Sequence, residues 1–251
     1  GSFYSRVGAS DNPGAVQLLL LRNDVLELLI ESQSDRGKED KIVVDWDSYG
    51  ALRQVIERRI NVSAEIRGSK DGATWADIAE GKINAVDSLD WLIARSLMRP
   101  RYLIQIAHEC LGHAATVGHE KILEEDFEEG YRVYSLDIIG NTNYEIRDIH
   151  PAANDAIYTL INFPRQTTIG DIIDALKRYS YDSDGVYYII RLFFWFGVLG
   201  AKTENGHEKY IYDYRYDEKI FHRVRQSSLD NDEPVYINLA FSRGLDCEDS
   251  A

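Results

Sequence analysis

MRPRYLIQIAHECLGHAATVG, residues 98–118, is the stretch on which the reading of this chain turns. Pro100 suits the first turn of a helix, because the N–H it lacks has no intrahelical partner there and its φ is already helical. Leu103, Ile106, Ala107, Cys110, Leu111, Ala114 and Ala115 then recur at helical spacing. One broad face of such a helix is buried and the other meets water. Arg99 and Arg101 flank the start, where the helix dipole is positive and disfavours cations. Two arginines held there point to a negative partner, a phosphate or a carboxylate.

Beyond the helix come a short turn, Val117-Gly118-His119-Glu120-Lys121, and then Ile122-Leu123-Glu124-Glu125-Asp126-Phe127, where a second amphipathic helix opens on an acidic first turn. Arg-Pro-Arg, the apolar helix with small residues, the glycine turn and this second helix together resemble the helical lid of AAA+-like P-loop ATPases, the STAND class included. The resemblance implies that an arginine at the start of the lid helix reaches the γ-phosphate as a sensor-2 residue. Arg101 matches that position best and Arg99 second.

Upstream, Val16–Leu21 (VQLLLL) is a short apolar run followed by Arg22-Asn23-Asp24. A buried strand with polar residues at its C-terminal end fits, and open α/β sheets bind ligands at such ends. Leu21-Arg22-Asn23-Asp24 resembles the sensor-1 pattern of the same ATPases, which makes Arg22, Asn23 and Asp24 nucleotide-contact candidates beside Arg101 and Arg99. The run equally suits one helix over Val16–Leu29, since a short apolar run does not separate the two. Residues 25–32 read as a helix and 41–46 as a strand. Asp47 or Ser48 caps a helix carrying Leu52, Val55, Ile56 and Ile60. Residues 61–74 read as a polar loop, 75–78 and 86–97 as helices, and 124–134 as a helix ended by Tyr134-Ser135. Residues 136–149 continue as helix or turn, and Pro151 marks a module boundary.

From Ala152 the expected order is a helix over 153–163, a second opened by the capping-box-like Thr168-Ile169-Gly170-Asp171, and a third over 184–196. Asn205-Gly206 is a strong hairpin signal. Tyr210, Tyr212, Tyr214 and Tyr216 alternate as on one face of a strand packed on the helices. Three helices followed by a hairpin is the winged-helix plan. Its third helix would read DNA by analogy with helix-turn-helix proteins. Here Arg191 is the one basic residue of an apolar segment, and over residues 152–241 thirteen Asp and Glu outnumber ten Lys and Arg. The net charge of −14 for the chain likewise argues against DNA as a partner.

The expected fold class is mainly α with small β elements. Residues 1–60 form a remnant of an α/β nucleotide-binding core, 61–150 a helical lid bundle, 151–245 a winged-helix domain and 246–251 a frayed tail. Two cysteines, no signal-peptide layout and no bilayer-length apolar run predict a cytoplasmic, membrane-free setting. The chain contains neither a G-x-x-x-x-G-K-[ST] motif nor a Gly-x-Gly-x-x-Gly motif. His108, His113 and His119 lack the i, i+4 spacing of helical metal ligands and read as surface or packing residues. The carboxylate pairs Glu128-Glu129, Asp45/Asp47 and Asp182/Asp184 read as caps or solvated faces.

The resemblance implies the C-terminal regulatory region of a bacterial P-loop ATPase, coupling nucleotide state to protein–protein interaction in ATP-driven switching such as antiviral defence. It implies that ATP and Mg²⁺ are held only together with an N-terminal P-loop core of the same protein. This region catalyses nothing by itself, and the class admits homo-oligomers. The alternative is a winged-helix DNA-binding protein, a transcription factor or replication-initiator fragment.

Overall fold

The computed structural model describes residues 48–69, 71–179, 181, 183–203, 206–217, 219–223 and 234–247. The sensor-1-like segment with Arg22, Asn23 and Asp24, and the elements read over 25–32 and 41–46, lie outside the described residues. Among the described residues the fold is mainly helical, with two small sheets.

Helix α1 spans Tyr49–Ile66 and is capped by Ser48, whose Oγ accepts the Ala51 N–H at 3.2 Å. It buries Leu52 and Ile56. It also runs through residues 61–66, read from sequence as loop, and across the expected 60/61 boundary. No Gly or Pro interrupts Asn61–Ile66, the Asn61 amide donates to Glu65 one turn on, and the stop comes at Gly68, with φ +87°.

Thr74 caps the single turn α2 (Trp75–Ile78). The hairpin β1 (Lys82–Ile83) and β2 (Val86–Asp87) follows, turned by Asn84 and Ala85 at positive φ. The helix expected from Val86 therefore begins later. Asp87 accepts the N–H groups of Leu89 and Asp90 and starts α3, Ser88–Ala94. Leu97 and Met98, both left-handed, turn the chain into α4, Pro100–Val117, with Pro100 at N1 and a left-handed Gly118 as its stop.

Helix α5, Glu124–Ile149, is the longest of the described elements. Tyr134-Ser135 does not end it. Those two residues sit on a continuous buried face with Phe127, Tyr131, Ile138, Thr142 and Ile146, and packing on both sides holds the helix straight through.

Beyond Pro151 the single helix expected over 153–163 is two 3₁₀ turns, Pro151–Ala153 and Ala156–Leu160. The left-handed Asp155 between them, φ +64°, breaks any helix, and the Asn143 side chain holds it by bonding both its N–H and its carboxylate. Then come β3 (Gln166–Thr168), α6 (Ile169–Arg178, capped by Thr168), α7 (Ser183–Trp195), β4 (Leu199–Lys202), β5 (Glu208–Lys209), β6 (Pro234–Ile237) and α8 (Leu239–Ser242). The sheet runs β3-β6-β4-β5, every pair antiparallel, with Thr167 opposite Val235 and Gly200 opposite Tyr236.

The tyrosine strand does not form. Asp213 accepts the Tyr210 N–H at 2.8 Å and folds Ile211–Tyr214 into a 3₁₀ turn, with Arg215 and Tyr216 left-handed after it. The rings still pack inward. Tyr210 stacks on Tyr212, and Trp195 meets Tyr216 edge-on.

Helix α8 returns to α5, where Ser135 Oγ donates to the Ala240 carbonyl and accepts the Gly244 N–H. Tyr131 bonds the Leu239 carbonyl and Ser242 Oγ. Residues 45–251 accordingly cluster as one unit, with α5 shared between the two modules expected on either side of Pro151.

Candidate functional site

Three places on the helical half carry chemistry. The first is the turn into α4. The two arginines there have different fates. Arg99, the residue before Pro100, is packed among tyrosines. Its guanidinium donates to the Tyr216 hydroxyl at 3.1 Å and lies over the Tyr102 ring. Burial alone would lower its pKa, but Tyr216 outweighs this and the group stays charged. Arg101, two residues on, is exposed, and its side chain makes no hydrogen bond or ion pair with the described residues. No acidic residue stands in the first turn of α4.

The second place is a carboxylate with two imidazoles. Asp126, fully buried in the first turn of α5, takes His113 Nδ1 on one oxygen at 2.7 Å and His119 Nδ1 on the other at 2.9 Å. The Leu123 N–H also donates to it, at 2.8 Å. Burial pushes the Asp126 carboxyl up, but the Leu123 amide and the two imidazoles outweigh that and hold it below the ordinary value. His119 Nε2 also approaches Glu125 at 3.2 Å. Sequence spacing separated these histidines, and the turn at Gly118 brings them together. Among the described residues no group of three His, Cys, Asp or Glu side chains is placed to hold a metal. The cluster ties the end of α4 to the start of α5.

The third place is a groove of about 560 Å³ between α1, α2 and α4, and sequence reasoning missed it. Ile56 and Ile60 of α1 and Ile104, Ala107 and Leu111 of α4 form its walls, with Trp75 and Ile122 among its lining. Ile122 is stitched to α2, donating its N–H to the Ile78 carbonyl at 2.9 Å while its own carbonyl accepts the Glu80 N–H. Arg59, Arg67 and His108 stand at the groove. The apolar face of α4 was visible in sequence as a stripe. That part of it would be left open depended on where α1 came to rest.

Cys110, read from sequence as an apolar-face residue, is fully buried, and burial pushes its thiol well above the ordinary value, which favours the protonated form. No helix among the described residues is long and apolar enough to cross a membrane.

Residues 50–142 match the family model described as the FunZ-associated C-terminal helical domain. The matched span holds all three places: the arginine turn, the Asp126 cluster and the groove. The chain is similar to that family over these residues, which are fewer than half of it. No curated protein and no solved structure matches.

Proposed function

We propose that this chain is the regulatory region of a STAND/AAA+-like P-loop ATPase, coupling the nucleotide state of a P-loop core to protein–protein contact. The observation that carries the reading is Arg101. A guanidinium at the positive end of an 18-residue helix gains nothing from the dipole, and this one has no partner among the described residues. An external anion would satisfy it, and guanidinium groups suit phosphate oxygens bidentately. Arg99 is committed to Tyr216, so Arg101 alone of the pair is available to a nucleotide seated in the core. There it would neutralise charge on the terminal phosphate.

The second half supports a winged-helix reading. The order β3, α6, α7, β4, β6, with the first strand paired to the last and that to the middle one, is the order of such domains. The outward face of α7 carries Tyr187, 61% exposed, and Tyr188. Exposed tyrosines on an acidic module favour protein contact over DNA. Bacterial antiviral defence is the setting that the resemblance to the STAND class adds.

The test is association between this chain and the P-loop core of its own protein, measured with ATP, with ADP and without nucleotide. Affinity that changes with nucleotide in the wild type and not in Arg101→Ala is the expected result. Nucleotide-independent association in the wild type would remove the reading.

A further inference from the structure

The groove between α1 and α4 lies apart from the arginine turn and does not depend on the nucleotide reading. Its walls are two ladders at helical spacing. Ile56, Ile60 and Ala64 follow one another at four-residue steps on α1, and Ile104, Ala107 and Leu111 at three- and four-residue steps on α4. The α1 ladder covers about 12 Å of helix axis. Ile60 and Ile104 are only partly buried, and Leu111 is 47% exposed. Alanines at 64, 73 and 107 keep the trough open. Two facing ladders with small residues between them are the half-made seam of a helix bundle, and a third helix completes such a seam.

The charges define the missing helix. In a chain of net charge −14, the charged residues lining the groove are Arg59 and Arg67, joined by the imidazole of His108. Neither guanidinium makes an ion pair or side-chain hydrogen bond with the described residues. Nearby carboxylates on α1 are engaged elsewhere: Glu57 accepts the Trp75 N–H at 3.0 Å, and Glu65 accepts from Asn61 at 2.8 Å. We propose that this groove binds an amphipathic helix of a partner protein, its apolar face seated between α1 and α4 and its acidic flank against Arg59 and Arg67.

Two synthetic peptides of about four helical turns test it, both with Leu at i, i+3, i+4 and i+7, one with Glu and one with Lys at the flanking positions. Binding to the full chain is followed by fluorescence anisotropy at low and high salt. The Glu peptide should bind with a Kd of about micromolar order, weakening as salt rises, and the Lys peptide about tenfold or more weakly. Arg59→Glu combined with Arg67→Glu should invert that preference. Leu111→Ser, at an exposed position, should weaken the Glu peptide while leaving the circular dichroism spectrum unchanged. Failure of both peptides to bind, or equal binding insensitive to the charge reversal, would overturn the proposal. So would saturable binding of decanoate without peptide binding, which would assign the groove to a small amphiphile. A dimer in sedimentation that Leu111→Ser dissociates would assign it to a second copy of this chain. The nucleotide-dependent association described above reads a different surface, so either reading can fail alone.

Discussion

Arg99 and Arg101 are two residues apart and equally charged, yet they predict opposite phenotypes. Removing Arg99 takes away a half-buried guanidinium together with its charge-assisted bond to Tyr216 and its contact with the Tyr216 ring, so Arg99→Ala should lose about 1–3 kcal/mol of stability. Arg101→Ala removes an exposed side chain with no hydrogen bond or ion pair among the described residues, and should change stability by under about 0.5 kcal/mol while abolishing the nucleotide dependence of association. Chemical denaturation of both variants beside the association assay checks the pair, and the reverse order of stabilities would make Arg101 the structural one. Asp126 gives a pH prediction. Its folded pKa is depressed below an unfolded value of about 3.9. Its contribution is therefore present above that value and is lost as pH falls through the folded one. Asp126→Asn should cost about 2–3 kcal/mol at pH 7, since it weakens three charge-assisted bonds in a buried place. The gap to wild type should close in acid, and urea titrations across the pH range would show whether it does.

The element that organises the molecule is α5, and its contact with α4 hinges on Gly130. A Cβ there would lie 2.5 Å from the Cys110 nitrogen and 2.7 Å from its Cα, backbone atoms that cannot swing aside. Helix propensity favours Ala over Gly by about 1 kcal/mol, but prying the two helices apart costs about 1–3 kcal/mol, and packing wins. Gly130→Ala should therefore lower the melting temperature. Gly112 is the counter-case on α4, with nothing within 4 Å of its Cβ direction and an exposed position. Gly112→Ala should raise the melting temperature, and the opposite signs together test the α4–α5 interface.

At the scale of the whole chain the net charge is −14, and among the described residues the C-terminal end packs back on α5. Residues 239–245 return to α5 through Ser135 and Tyr131, so the C-terminal module shares a core with the helical one. A mobile DNA-reading head is a poor match to that arrangement and to the acidic balance. The chain should accordingly show no micromolar, salt-sensitive binding to duplex DNA in a mobility-shift series. A steep fall of affinity with rising salt would instead restore the DNA-binding alternative.

Local chemistry was legible in the residues themselves. Pro100 starts α4 and Gly118 stops it, Thr168 caps α6, and of the two cap candidates Asp47 and Ser48 it is Ser48 that caps α1, because each of these signals acts through φ or one side-chain bond within a single turn. The mainly helical class with small sheets followed from the same periodicities. Continuity and partnership were not legible. Whether α5 ends at Tyr134 depends on what Ser135 meets a hundred residues later, and the tyrosine run is a turn in which Asp213 accepts the Tyr210 amide that a strand would have paired. His113 and His119 share a carboxylate because the Gly118 turn folds one helix end over the next. The groove opens where apolar residues of α1, α2 and α4 come together, with small residues such as Ala64, Ala73 and Ala107 among its lining. The sequence by itself determined where helices start and which faces are apolar, since those depend on neighbours within a turn. Which faces are covered, and which charges are left over, was decided only by packing among residues distant in the chain.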